Sequence, residues 1–286
     1  MSIIVTGASG QLGRLVIEEL LTSVPAAEVT AVVRDPAKAG DLAARGVTLA
    51  VADYNSPESF DGLLRGGDRV LLISGSEMHL DRTAQHKAVL GAAVKAGVAL
   101  FAYTSAPGGQ SGPVTDDHRA TEDAIRASGL PYSLLRNNIY HEMFTMNIPA
   151  ALQHGALVRA AGDGRLASAS RADYAAAAAA VLSGDGHENT VYELSGDTAW
   201  SFAELAAEVS KQSGRHVPYH AVTGEEYAAM LSGAGLPHPL PHIIAGIDVS
   251  IAAGELALTT GDLSRLAGRP TTPLAEAIRA ALAGQQ

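Results

Sequence analysis

Residues 5 to 13 read VTGASGQLG and space three glycines as Gly7-x-x-Gly10-x-x-Gly13. A short apolar run, Ile3-Ile4-Val5, precedes them, and Leu12, Leu15, Val16 and Leu20 follow at helical spacing. A glycine turn between a strand and a helix is where a pyrophosphate can rest. Gly7 permits the tight bend, Gly10 lets backbone approach the phosphates, and Gly13 lets the helix approach the strand. The helix N-terminus supplies unpaired N–H groups and a partial positive charge. The same glycines would also suit a turn that only packs helix on strand, so the flanking chemistry has to decide.

That chemistry stands at the ends of the following apolar runs. The second run ends in VVRDPAK, which puts Arg34 where the ribose of a dinucleotide is read. An acid there bonds a free 2′-hydroxyl, whereas a guanidinium grips a 2′-phosphate through two N–H groups. Arg34, with Lys38 a turn later, points to NADP(H); Asp35 is assigned to capping the turn begun at Pro36. Asp53-Tyr54 ends the third run and is placed beside the adenine. Ser74-Gly75-Ser76 ends the fourth, with small residues along which a cofactor can lie, and Tyr103-Thr104-Ser105 ends the fifth.

A tyrosine with a lysine four residues on, the proton-donating pair of many short-chain dehydrogenases, is absent; Tyr132-x-x-x-Arg136 has the spacing but sits on a predicted strand. The remaining catalytic candidates are His118, four residues before Glu122 on one helix face, and Asn138 and Tyr140 after the sixth run. A histidine there would be a proton donor near neutral pH, although a surface histidine beside Asp116 and Asp117 fits the same pattern. Asn138 and Tyr140 suit shaping a pocket. His238-x-x-x-His242 has metal-like spacing, but Pro239 and Pro241 argue against helical geometry and no carboxylate adjoins, so no metal site is expected.

These residues need a scaffold. Runs at Glu28 to Val33, Val47 to Val51, Arg69 to Ile73, Val98 to Tyr103 and Tyr132 to Leu135 alternate with helical patterns at Pro36 to Ala44, Pro57 to Leu64, Leu80 to Ala96 and Thr115 to Ala127. Continuous apolar strands alternating with helices predict an α/β Rossmann fold, a doubly wound parallel sheet with helices on both faces. After Asn138 the pattern changes. Tyr140 to His154 reads as a helix interrupted by Pro149, Ser170 caps an alanine-rich helix over 173–183, and LPHPLPH at 236–242 reads as loop. Further strands are expected at Val191 to Leu194 and Val217 to Val222, and helices at Phe202 to Gln212 and Leu274 to Leu282. We expect a dinucleotide-binding domain over 1–138, joined again by about 166–200, and a smaller α+β substrate-binding domain over 139–286.

Composition narrows the partners. The net charge is -10, which disfavours nucleic acid and anionic membrane surfaces. There is no cysteine, which removes disulfides and thiolate chemistry. No secretory leader and no run long enough to span a bilayer is evident, so a cytoplasmic protein is expected.

GASGQLG, AVVRDPAKA, ADYNSPESF, LLISGSE, AYTS, LLRNNIY, AAGDG, SRADYAAAAAAV, VYELSGD and GRPTTPLAEAI, in this order, resemble the NmrA-like atypical short-chain dehydrogenases, and within them the quinone-reducing branch. The resemblance covers nearly the whole chain. It implies NADP(H) bound by Gly7, Ala8, Ser9, Gly10, Gln11, Leu12, Arg34, Ser74, Gly75, Ser76 and by Arg136, Asn137, Asn138, Ile139, Tyr140 and His141. Asn138, Tyr140 and Phe144 are expected to wall the acceptor, a quinone or similar aromatic, in a cleft beside the smaller domain. The family carries serine where Gly75 stands and a Gly-Trp pair where Asn138 and Ile139 stand. The missing tyrosine-lysine pair fits such an acceptor, because a reduced quinone takes its protons from water. A monomer or homodimer is expected. Some members of the family bind the cofactor as redox sensors without turnover, and sugar-nucleotide epimerases share the fold but need the absent pair.

Overall fold

The computed structural model describes residues 2–77, 80–107 and 113–284. They form two compact units, one of Met1–Asn137, Arg171–Leu194 and Asp262–Arg269, the other of Asn138–Ser170, Ser195–Gly261 and Pro270–Gln286. Compared with the division expected from sequence, Asn138 falls in the second unit and the returning stretch is narrower. A further segment, 262–269, belongs to the first unit without any sequence signal having announced it.

The first unit is built on seven strands: β1 (Ile3–Val5), β2 (Val29–Val33), β3 (Thr48–Val51), β4 (Arg69–Leu72), β5 (Leu100–Ser105), β6 (Tyr132–Asn137) and β7 (Thr190–Leu194). Their order is β3-β2-β1-β4-β5-β6-β7 and every pairing is parallel. The order reverses between β1 and β4, the switch point at whose carboxyl edge open parallel sheets bind ligands. Strands β4 and β5 are buried along their whole length, which is why they carry the consecutive apolar stretches Val70–Leu72 and Leu100–Tyr103 rather than alternations.

Four longer helices flank the sheet: α1 (Gln11–Leu20), α2 (Arg82–Ala96), α3 (Pro113–Ala127) and α4 (Arg171–Ser183). Gly97 ends α2 in the left-handed conformation, as its sequence position predicts. Helix α4 carries alanine from 175 to 180 and packs on α1, where small side chains let two helices approach. Its last carbonyls are capped from the sheet: the buried Arg69 guanidinium donates to Leu182 and Gly184 carbonyls and pairs with Asp185 at 2.6 Å.

Three expectations are corrected. Pro57 to Leu64 makes only a single 3₁₀ turn, Pro57–Phe60. Pro149 does not interrupt a helix; it sits in the first turn of Ile148–His154, after a separate short helix Glu142–Thr145, because proline is tolerated where no N–H partner is needed. The LPHPLPH stretch is not all loop: a helix, Leu240–Ala252, starts inside it with Pro241 in its first turn. His242 is therefore helical after all. Its ring lies edge-on to His238 at 6.1 Å, and no metal-holding cluster occurs among the described residues.

The second unit has two two-stranded ribbons, Leu157–Arg159 with Tyr219–Ala221 and Arg165–Leu166 with Trp200–Ser201. The expected strand over 217–222 is thus shorter, and Gly224–Gly233 adds a helix with a full capping box, Thr223 with Glu226, that sequence reading passed over. Its core centres on Phe144, Trp200 and Phe202. Within it a buried Arg159 meets a fully enclosed Asp248 through two bonds, Nε to Oδ2 at 2.8 Å and Nη2 to Oδ1 at 2.5 Å. The guanidinium also lies 5.0 Å from the Phe144 ring centre and 4.7 Å from that of Phe202. No helix among the described residues is long and apolar enough to cross a membrane.

Removing one member of a buried pair strands the other's charge. Asp248→Ala should therefore lower unfolding stability by about 3–5 kcal/mol, while Arg159→Met combined with Asp248→Leu should restore most of it. Denaturant melts of the three proteins check this.

Candidate dinucleotide site

The glycine turn has the geometry its spacing predicts. Gly7 takes φ +61°, the left-handed region, and its carbonyl accepts from the Gly10 N–H at 3.0 Å. A Cβ on Gly13 would lie 2.4 Å from that carbonyl oxygen and 2.8 Å from Ala8 Cα. The first turn of α1 is thus pressed against the strand-to-helix bend, with no room for a side chain between. The helix's first bond runs from Arg14 N–H to the Gly10 carbonyl at 3.0 Å. The N–H groups of Gln11, Leu12 and Gly13 find no acceptor among the described residues, and the first turn holds no acidic side chain. Such a turn presents donors and a positive dipole end, and fits a pyrophosphate. Ala8, expected to bind the cofactor, has a buried side chain, and its N–H donates to the Val32 carbonyl at 3.2 Å.

The loop leaving β4 is pinned atom by atom. Ile73 N–H donates to Thr6 Oγ1 at 3.2 Å, and Tyr54 Oη donates to the Ile73 carbonyl at 2.9 Å. Ser74 N–H donates to Thr104 Oγ1 at 2.9 Å. Gly75 N–H donates to His86 Nε2 at 3.0 Å, and the Gly75 carbonyl accepts from Arg82 Nε at 2.7 Å. Thr104 is buried behind the loop, so its role is to hold Ser74 in place. Three neighbours, Thr6 just after β1, Tyr54 after β3 and Thr104 on β5, together with α2, fix a rail at the carboxyl edge.

Behind that rail lies a polar cluster that corrects the reading of His118. The side chain is buried on α3, not at the surface. Its Nε2 faces Arg82 Nη2 at 3.2 Å and its Nδ1 faces Tyr103 Oη at 2.7 Å. Guanidinium only donates, so Nε2 accepts and the proton sits on Nδ1. In the same way His86 accepts from Gly75 and gives its Nδ1 proton to Thr121 Oγ1 at 2.9 Å. Burial, with the Arg82 charge nearby, pushes His86 down to about 3 and His118 down to about 4. Both rings are neutral at physiological pH with both nitrogens committed, so His118 is not a free proton donor. Its neighbour Glu122 is held below the ordinary carboxylate range: burial alone would raise it, but Arg136 and Ser105 outweigh that.

Arg34 follows β2 directly. Its Nη1 lies 3.0 Å from Glu77 Oε1, and this partner raises its pKa. Asp35 caps Ala37 N–H at 3.0 Å, the role expected for it. Asp53 accepts from Asn55, backbone at 2.9 Å and side chain at 3.1 Å. Sequence reading missed Arg14. From the first turns of α1 it donates to the Ser9 carbonyl, to the Lys38 carbonyl and to Asp41, tying the glycine turn to the stretch after Arg34. The i,i+4 distance from Gly10, and its place beside the turn, were the signal available.

The residues after β6 divide differently. Arg136 is spoken for by Glu122 at 2.7 Å and Glu193 at 2.6 Å, while Asn137, which ends the opening segment of the first unit, keeps a buried Oδ1 with no partner among the described residues. Asn138 spends its whole amide inside the second unit, accepting from Ile139 N–H at 2.8 Å and donating to the Leu256 carbonyl at 3.1 Å. His141 bridges Ser168 Oγ at 2.8 Å and the Thr272 carbonyl at 3.0 Å. Phe144 is 3 % exposed and packed edge-on against Trp200 and Phe202. Phe144 and His141 therefore build the core, whereas Tyr140 and Ile139 are only partly buried.

A parallel sheet reversing at β1 and β4, with a glycine turn at its carboxyl edge whose following N–H groups have no acceptor among the described residues, defines a dinucleotide-binding protein. The chain belongs to the NAD(P)H-binding, NmrA-like family: the family model described as NAD(P)H-binding matches residues 7–185. Quinone oxidoreductase 2 of Escherichia coli (strain K12) is 48 % identical over 278 residues, covering 96 % of this chain and 97 % of that one. The crystal structure of the E. coli NADPH-dependent quinone oxidoreductase complexed with NADPH superposes with a TM-score of 0.95 at 47 % identity, covering 98 % and 99 % of the two chains. The Citrobacter sp. triphenylmethane reductase complexed with NADP(H) gives 0.93 at 42 % identity, covering 98 % and 100 %.

Two outcomes are expected. Gly13→Ala should weaken NADPH binding at least tenfold while the chain still folds, since the added methyl forces the turn and helix apart; NADPH fluorescence titration measures this. The folded-state pKa values of His86 and His118 lie below the unfolded value of about 6.5, so the unfolded chain binds more protons and stability falls as pH drops from about 6.5 towards 4. The slope of melting temperature over that window should be shallower in His118→Asn than in the natural chain.

Proposed function

We propose that this protein is an NADPH-dependent oxidoreductase that reduces a quinone or a similar flat aromatic acceptor. The observation that carries the reading is the near full-length likeness to the E. coli quinone oxidoreductase, supported by a cofactor cradle complete in this chain's own residues. Gly7, Gly10 and the free N–H groups of Gln11, Leu12 and Gly13 hold the pyrophosphate. Arg34 reads the 2′-phosphate, and the Ser74 to Ser76 rail, held rigid by His86, Arg82 and Thr104, orients what lies along it. Bound NADPH supplies a hydride from its nicotinamide ring.

The chain's contribution is then mostly positional, worth up to the several kcal/mol that a fixed approach can supply. No proton donor is required of it: a reduced quinone is a weak base that water protonates, which agrees with a neutral, fully bonded His118. Tyr140 is the side chain we assign to the acceptor. Asn138 acts one step back, by fixing the backbone at Ile139.

Purified protein should oxidise NADPH steadily with simple quinones. Absence of turnover with every quinone tried, despite tight NADPH binding, would overturn the enzyme and leave a binding-only sensor. Arg34→Ala should weaken NADPH about ten- to hundredfold, the worth of a charge-assisted contact, and leave NADH nearly unchanged. An unaltered NADPH preference would remove Arg34 from its role.

A further inference from the structure

Glu77 follows the Ser74 to Ser76 rail, and its carboxylate is the group bonded to Arg34, at 3.0 Å. The two residues come from the loops leaving β2 and β4, the strands on either side of β1. The ion pair thus joins the two loops that border the glycine turn. Of the other acids nearby, Asp35 accepts from Ala37 N–H and Asp53 from Asn55; the charge of Asp53 also acts on Arg34, but among the described residues Glu77 is the acid hydrogen-bonded to the guanidinium. Glu77 is also reachable by a ligand, with the Arg34 side chain 63 % exposed and that of Glu77 37 %.

We propose that Glu77 is a specificity-determining residue that occupies Arg34 as an internal anion, so that a 2′-phosphate binds only by competing with it. The proposal rests on Arg34 being the reader of that phosphate. A phosphate dianion and a carboxylate on one guanidinium repel each other, so the ligand either displaces Glu77 or binds against its charge. NADH, with no phosphate at this position, asks for neither. Glu77 therefore taxes NADP(H) selectively and narrows the preference that Arg34 creates.

The test is a binding cycle with NADPH, NADH and 2′,5′-ADP as probes, read by fluorescence and calorimetry, on the natural chain, Glu77→Gln, Arg34→Ala and the double variant. Glu77→Gln should tighten NADPH and 2′,5′-ADP about two- to fivefold, the range an exposed ion pair supports. NADH should stay within error, and the gain should shrink as salt rises. In the Arg34→Ala background the same change should do nothing. Should Arg34→Ala destroy the NADPH preference while Glu77→Gln leaves NADPH binding equal or weaker, Glu77 orients Arg34 rather than competing for it, and the proposal fails alone. Should Arg34→Ala leave the preference intact, the reading of Arg34 and the proposal fall together. Melting curves establish that each variant is folded.

Discussion

The site depends on one close approach. Gly13 lies so near the Gly7 carbonyl that no side chain fits between them. This contact seats the first turn of α1 on the end of β1, where the N–H groups of Gln11, Leu12 and Gly13 have no acceptor among the described residues. Everything else at the carboxyl edge is arranged around that fixed turn. Thr6, the residue before Gly7, is shared between Tyr54 and the Ile73 N–H. Arg14, one residue after Gly13, reaches forward to the loop that follows Arg34.

A second layer keeps the neighbouring loop still. His86 and Arg82 on α2 hold the N–H and the carbonyl of Gly75, His118 and Thr121 on α3 hold those two side chains in turn, and the proton arrangement is defined because a guanidinium and a backbone amide can only donate. Neutral histidines suit this better than charged ones, as burial makes them neutral and neutrality lets each ring both accept and donate. The same burial that removes His118 from proton transfer gives it a place in holding the loop. The absence of a tyrosine-lysine pair and the immobility of this histidine agree with a reaction that asks the protein for position rather than for protons.

The parallel sheet was legible because its strands are continuous apolar runs, and the glycine turn because left-handed and contact-limited positions admit little else. The position of Arg34 directly after β2 was legible because strand ends follow from the alternation. Burial was not. His118 beside two aspartates reads as a surface residue in sequence, yet Arg82 and Tyr103, distant along the chain, enclose it. Phe144 and Asn138 look like pocket residues by adjacency to Tyr140, but their partners Trp200, Phe202 and Leu256 lie well over fifty residues away. The prolines of LPHPLPH misled for a local reason: proline stops a helix from within but starts one from its first turn. Arg14 escaped notice because attention to strand ends passes over a helix's own first turns.

The returning segments bear on how the chain can be made. Helix α4 and β7 belong to the nucleotide-binding unit but follow 33 residues of the other unit, 138–170, and the stretch 262–269 comes later still. Arg69 cannot find its carbonyl partners at 182 and 184 until those residues exist. As the polypeptide leaves the ribosome, the first six strands therefore precede their last partner, and β6 stays an open edge until the strand from Thr190 pairs with it. The two units are interleaved in time as well as in sequence, so a gene cut after Asn137 would yield an exposed sheet rather than a working half.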